Sequence, residues 1–222
     1  MNVLPLSKYD LTFPNPRYAC DEGILAYGGD LSVNRIMQGY SKGIFPWFNE
    51  DDPILWWSPN PRFVLKLEDF KISKSLKKTI KKNIFEVKFD TNFQAVIKHC
   101  AKVKRVHEDG TWITDDMVKA YCELFYAGHA HSFESYYNGE LVGGGYGVVI
   151  GDIFCGESMF TLKSDAAKVA FVALVDRLKL NGFSMIDSQI YTEHFSHFGA
   201  KNISRDEYLN YVKKALFNPK DF

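Results

Sequence analysis

HSFESYY (131–137), ELVGGGYGVVI (140–150) and IFCGESMF (153–160) are three short runs with the alternation and composition of strands, and their reading decides the fold. The last two meet at Gly151-Asp152, a tight hairpin signal, so the runs form a meander. SDAAKVAFVALVDRLKLNG (164–182) then reads as a long helix stopped by Gly182, and MIDSQI (185–190) as another strand. Working outward, residues 73–82 look helical, EVKF (86–89) is a strand and 92–103 a helix. A further helix over 113–128 has Thr114 as its cap, acids in its first turn and Gly128 at its close. A short helix is expected near 206–216. Helices interleaved with a strand meander predict a mixed α/β or α+β domain, with α+β and a mixed sheet flanked by helices the expectation.

Residues 1–62 differ in character, with Pro, Gly and aromatics in FPNP, YGGD, GIFPWF and ILWWSPNPR. One helix is expected there, from a capping Ser32 to about Lys42. This stretch reads as a small N-terminal domain, with a larger domain over 63–222. The chain has 222 residues, 46% apolar and 24% charged, with zero formal net charge. No global field draws it to nucleic acid, so such a partner needs a local patch. Four scattered cysteines, without a CxxC pair, fit reduced thiols rather than a disulfide framework or structural zinc. The opening MNVLPLSKYDLTFPNP lacks the order of a signal peptide, and no apolar run approaches the roughly 20 residues of a membrane span. A cytoplasmic protein is expected.

Four features carry chemistry. In the helix at 73–82, Lys74, Lys77, Lys78, Lys81 and Lys82 fall within an arc of about 140°, opposite Ile72, Leu76, Ile80 and Ile84. This is either a phosphate-backbone contact or a solvated face. The rings of Phe45-Pro46-Trp47-Phe48, Trp56-Trp57 and Trp112 either stack on a base or fill a core; core suits Trp56 and Trp57, and function suits Trp47. In the strand at 185–190, Asp187 and Gln189 share one face by alternation, and buried there they need partners. Glu157, in Cys155-Gly156-Glu157-Ser158-Met159, is a second acid near a strand end. Finally, Gly143-Gly144-Gly145-Tyr146-Gly147 lies inside a strand and so fails the context of a dinucleotide or P-loop motif; a bulge or a close approach explains it. The six histidines show no metal spacing.

Taken together, Gly28-Gly29-Asp30-Leu31-Ser32, Gly43-Ile44-Phe45-Pro46-Trp47-Phe48, Ile54-Leu55-Trp56-Trp57-Ser58-Pro59 and Pro61-Arg62 resemble the leucyl/phenylalanyl-tRNA–protein transferase family. So do Gly110-Thr111-Trp112-Ile113-Thr114, Gly128-His129-Ala130-His131-Ser132, Phe154-Cys155-Gly156-Glu157-Ser158-Met159-Phe160 and Ile186-Asp187-x-Gln189. The resemblance runs along nearly the whole chain. It implies a larger domain of the GNAT-type acyltransferase fold. It implies transfer of Leu or Phe, and less readily Met, from aminoacyl-tRNA to proteins that begin with Arg or Lys, marking them for N-degron degradation. Neither metal nor coenzyme A is implied as a cofactor, and the chain has no [RQ]-x-x-G-x-[GA] pyrophosphate loop. A monomer is expected.

The resemblance also implies roles residue by residue. Lys74, Lys78 and Lys81 match tRNA-contacting positions, as lysines where arginine is frequent. Trp47 and Trp112 match rings around the tRNA's terminal aminoacyl-adenosine. Phe154, Met159, Leu174, Leu178 and Ile186 match the amino-acid pocket, Asp187 and Gln189 the catalytic pair, and Glu157 a polar residue at the acceptor end. Gly145 stands where the family usually carries Met or Leu, so an enlarged or reshaped pocket is expected. In the expected mechanism Gln189 accepts a hydrogen bond from the attacking amine while Asp187 orients and polarises the Gln189 amide. Glu157 or Asp187 faces the acceptor's basic side chain. The rival readings are an N-acyltransferase with another acyl donor and a non-catalytic RNA-binding module.

Overall fold

The computed structural model describes residues 3–103 and 112–222, and it contains two sheets. The smaller comprises β1 (Leu4–Leu6), β2 (Ile24–Gly28), β3 (Phe45–Pro46) and β4 (Leu55–Trp57), in the order β1-β2-β4-β3, with α1 (Val33–Tyr40) between β2 and β3. Helix α1 starts where Ser32 Oγ accepts the Arg35 N–H at 3.3 Å. Trp56 is fully buried, donates its indole N–H to Gly28 O at 2.9 Å and meets the Phe13 ring edge-on at 4.8 Å. Trp57 packs against that core from its edge. It is half-buried, and its indole N–H braces Trp47 O at 2.5 Å with the two rings 5.0 Å apart.

The larger sheet holds β5 (Arg62–Lys66), β6 (Glu86–Phe89), β7 (Ala130–Tyr137), β8 (Glu140–Ile150), β9 (Ile153–Thr161), β10 (Met185–Asp187) and β11 (Lys201–Ile203). Its order is β11-β5-β10-β9-β8-β7-β6. Between the strands run α2 (Lys74–Lys81), α3 (Phe93–Ala101), α4 (Asp115–Tyr126), α5 (Ala166–Leu180), α6 (Glu193–His197) and, last, α7 (Arg205–Ala215). Strand β10 runs parallel to β9, joined to it through α5, while the other pairings in this sheet are antiparallel. The expected mixed sheet flanked by helices is therefore present. Side-chain oxygens of Ser73, Asn92, Thr114 and Ser204 cap α2, α3, α4 and α7. Among the described residues no helix is long and apolar enough to cross a membrane.

The sheet is packed on both faces. Phe133, Phe154 and Ile186 meet Leu174 and Leu178 of α5, while Tyr146 and Val148 meet Val96 and Ile97 of α3 and Tyr121 and Leu124 of α4. Each such fully buried side chain stabilises the fold by roughly 1.5–3 kcal/mol. Gly143 is explained by close approach, because a Cβ there would lie 2.6 Å from Ala167 N at the start of α5. The buried Glu134 is a helix-start device: it accepts the Thr91 and Asn92 N–H groups at 3.0 and 2.9 Å, just ahead of α3.

One strand expectation needs correction. β10 ends at Asp187, and Gln189 has φ +58°, in the left-handed region. The two-residue alternation stops there, so Asp187 and Gln189 do not share a strand face.

Candidate active site

The parallel strands make the site by parting. β9 and β10 pair through Ile153–Cys155 and Met185–Asp187 and no further. Beyond that point β9 continues alongside β8 while the other chain turns at Gln189. Gly156, Glu157 and Met159 line one side of the resulting gap and Ser188, Gln189 and Ile190 the other, around a cavity of about 360 Å³. Trp47, Trp112, Phe154, Leu174 and Ile186 complete much of its wall.

Behind one wall lies a sealed ion pair. Asp187, fully buried, accepts Arg62 Nε–H at 2.9 Å and Nη2–H at 2.6 Å, a bidentate fork. Tyr208 on α7 donates to the same carboxylate at 2.7 Å. Arg62 also donates to Gly43 O at 3.2 Å and lies over the rings of Phe45 and Tyr208 at 4.8 and 4.4 Å. Burial works against the guanidinium charge, yet Asp187 and the surrounding groups hold Arg62 above its ordinary range. Asp187 meets Gln189 through the main chain, accepting the Gln189 backbone N–H at 3.0 Å. The expected contact with the Gln189 side-chain amide is not made. Nor is Asp187 among the cavity-lining residues, so it cannot face an acceptor's basic side chain.

The amide's partner is Glu157. Gln189 Nε2–H donates to Glu157 Oε1 at 3.0 Å, and Tyr40 Oη–H donates to the same oxygen at 2.7 Å. Tyr121 donates to Oε2 at 3.1 Å, and the two tyrosine hydroxyls are themselves 2.7 Å apart. Glu157 sits mid-strand in β9 rather than near its end, half-buried and facing the cavity. Burial lifts its carboxyl from the ordinary 4.5 to about 7, against the pull of the tyrosine hydrogen bonds.

Phe154, Met159, Leu174 and Ile186 all line the cavity, whereas Leu178 is fully buried one turn behind Leu174. The expected enlargement at Gly145 does not occur. A Cβ there would meet Phe133 Cζ and Ser158 O at 2.6 Å and Met159 Cγ at 2.7 Å, so neighbours already occupy that space. Trp47 and Trp112 line the cavity; Gly110 and Thr111, quoted beside Trp112, lie outside the described residues. Lys74, Lys78 and Lys81 are exposed on α2, off the cavity wall. Thr79 Oγ1 ties that helix to Asp165 at the head of α5, 2.9 Å away. Tyr40, Tyr121, Tyr208 and Arg62 carry no sequence signal as a site, because no spacing links four such scattered positions.

The family model described as leucyl/phenylalanyl-tRNA protein transferase matches residues 64–213, and the model of that family's N-terminal domain matches 29–60. A leucyl/phenylalanyl-tRNA–protein transferase of Sulfurimonas denitrificans is 53% identical over 213 residues, covering 96% of this chain and 92% of that protein. One from Syntrophobacter fumaroxidans is 52% identical over 207 residues, covering 93% and 88%. Among solved structures, a conserved protein of unknown function from Bacteroides thetaiotaomicron is 14% identical with a TM-score of 0.45, covering 71% of this chain and 55% of that one. That likeness is too low to assign a fold.

Proposed function

The chain belongs to the leucyl/phenylalanyl-tRNA–protein transferase family, and from that premise we propose that its cavity receives the aminoacyl end of a tRNA and passes the amino acid to a protein's N-terminus. The observation that carries the reading is a single cavity combining an apolar pocket, two tryptophans and a carboxylate-braced amide. Phe154, Met159, Leu174 and Ile186 hold the Leu or Phe side chain, with Leu178 acting from behind Leu174. Met is the poorer donor. Trp47 and Trp112 flank the terminal adenosine, where stacking on a base is worth about 1–3 kcal/mol. Lys74, Lys78 and Lys81 meet the tRNA backbone as point charges.

Glu157 receives the acceptor, with Arg or Lys as its first residue. It is the one carboxylate among the described residues lining the cavity, which supports a cationic acceptor. The donor is already an ester, and an α-amine of ordinary pKa about 7.7–8.0 is partly neutral near pH 7, so positioning supplies much of the catalysis. With its amide nitrogen turned to Glu157, Gln189 has its carbonyl oxygen free to accept an amine N–H. Asp187 contributes as a positioning residue, holding the Gln189 main chain through the N–H it accepts.

The larger domain, residues 63–222, is read as a GNAT-type fold beside a small N-terminal domain of residues 1–62. The parallel β9–β10 pair with its crossover helix, inside an otherwise antiparallel sheet, supports this. Neither metal nor coenzyme A is assigned a role. The enzyme works as a monomer in the cytoplasm, where charged tRNA is made, and its products enter N-degron degradation.

Transfer of labelled Leu from Leu-tRNA to an Arg-starting peptide tests the reading; a wild-type protein that transfers none refutes it. Replacing Glu157 with Gln should erode the preference for an Arg-starting over an Ala-starting peptide, measured as the ratio of kcat/KM. Changing Lys74, Lys78 and Lys81 together to Ala should flatten the salt dependence of tRNA affinity, by a log–log slope of roughly 0.7–0.9 for each lost phosphate contact. An unaltered slope would return α2 to a solvated face.

A further inference from the structure

The hydroxyls of Tyr40 and Tyr121 and the carboxyl group of Glu157 close a ring: Tyr40 to Glu157 Oε1 at 2.7 Å, Tyr121 to Oε2 at 3.1 Å, and the hydroxyls 2.7 Å from each other. Every one of these three contacts needs a proton, but two hydroxyls supply only two. A proton on the carboxyl group supplies the third. With it, Glu157 donates to Tyr121, Tyr121 to Tyr40, and Tyr40 back to Glu157, leaving Oε1 to accept Gln189 Nε2–H as well. When that proton leaves, Tyr40, Tyr121 and Gln189 can all donate to the carboxylate, so the arrangement accommodates both states. Gln189 itself cannot hold a proton, because an amide is a very weak base.

From this we infer that Glu157 is the proton carrier of the transfer, taking a proton from the attacking α-amine and delivering it to the departing ribose oxygen. The assignment rests on the reading of the cavity as the aminoacyl-transfer site. The neutral amine, held by Gln189 Oε1, attacks the ester carbonyl carbon. The C–N bond forms and the C–O bond to the ribose 3′-oxygen breaks. One proton passes from nitrogen to the Glu157 carboxylate and then to the 3′-oxygen, so Glu157 ends as it began and no other reactant is required.

The groups facing Glu157 from each packed element agree with this role. Tyr40 reaches it from α1, Tyr121 from α4 and Gln189 from the turn after β10. Asp187 on β10 opposes its ionisation and Arg62 on β5 favours it, while Tyr146 on β8 packs edge-on against the Tyr121 ring at 5.5 Å. Among the described residues no cation touches the carboxylate, since Arg62 is committed to Asp187, and the arriving basic side chain of the acceptor favours the carboxylate form that takes the proton. Burial accordingly lifts Glu157 to about 7, close to the ordinary range of the amine it serves.

The experiment is single-turnover leucine transfer to an Arg-starting peptide across a pH series. For the wild type, log rate should fall on the acid side with a slope approaching about two, one ionisation from the amine and one from Glu157. Glu157→Gln preserves a neutral donor–acceptor in the ring but cannot carry a proton. It should match the wild-type melting temperature below about pH 4.5, lose roughly 10²–10⁴-fold in rate and retain only the amine's ionisation. Infrared difference spectra across neutrality should show a carboxylic-acid band in the wild type that is missing from this variant. Tyr121→Phe gives a second reading, because losing that donor must move the enzyme's ionisation to higher pH. If wild type transfers leucine and Glu157→Gln matches its rate and pH profile, or Tyr121→Phe leaves the profile in place, the inference fails while the reading of the cavity stands. A wild type that transfers none overturns both.

Discussion

Asp187 on β10 and Glu157 on β9 are carboxylates on neighbouring parallel strands, each with a tyrosine hydroxyl at 2.7 Å. What separates them is a cation. Asp187 holds the Arg62 guanidinium through two hydrogen bonds in a dry site, whereas Glu157 has hydroxyls and an amide for company and opens on the cavity. The first arrangement commits the carboxylate to a bidentate ion pair and so becomes architecture, tying β5, β10 and α7 together. The second leaves protonation in balance. A buried acid is suited to proton transfer when its donors are neutral, because no counter-charge then locks its state.

Three experiments press on that contrast. The largest effect belongs to Arg62→Met, which leaves Asp187 buried without its counter-ion and should cost about 3–5 kcal/mol of unfolding free energy in urea titrations. A loss below about 1 kcal/mol would mean the pair is not the architectural element described.

Next is the pH dependence of stability. Folding raises the Glu157 carboxyl from 4.5 to about 7, so the native state favours its neutral form. Its contribution is complete below about 4.5 and is lost as pH rises through about 7. Across that window the wild type should lose on the order of 2–3 kcal/mol relative to Glu157→Gln, with the open side of the site keeping the loss toward the lower figure. A difference that does not vary with pH would place Glu157 beside Asp187 as a fixed charge.

The smallest changes are single hydroxyl deletions, Tyr208→Phe and Tyr121→Phe, each expected to cost about 1–2 kcal/mol. They should differ in kind. Tyr208→Phe leaves the Glu157 window where it is, because its hydroxyl bonds Asp187 and not Glu157. Tyr121→Phe moves the upper edge of the Glu157 window upward, because a donor that lowers its pKa has gone. Equal responses would erase the distinction between the two clusters.

The elements that were legible in the sequence are those with local signals. Ser32 and Thr114 cap their helices where expected, and Gly151-Asp152 turns the β8–β9 hairpin. The strands β5 and β11 and the short helix α6 span three to five residues each, too few to display a period. Alternation failed at Gln189, because its left-handed backbone is a tertiary choice made where two strands separate. Gly145 misled for a related reason: an absent side chain makes room only if neighbours hold back, and Phe133 and Met159 do not.

Sequence alone was enough to identify the family, the helix starts at Ser32 and Thr114 and the meander, since these depend on residue type and near neighbours. Which acid meets which partner was decided only on folding. Glu157 finds Tyr40 at a separation of 117 residues and Asp187 finds Arg62 at 125. A carboxyl group's charge follows from the groups within a few ångströms of it. Here those groups come from remote parts of the chain, so the division between a fixed charge and a mobile proton exists only in three dimensions.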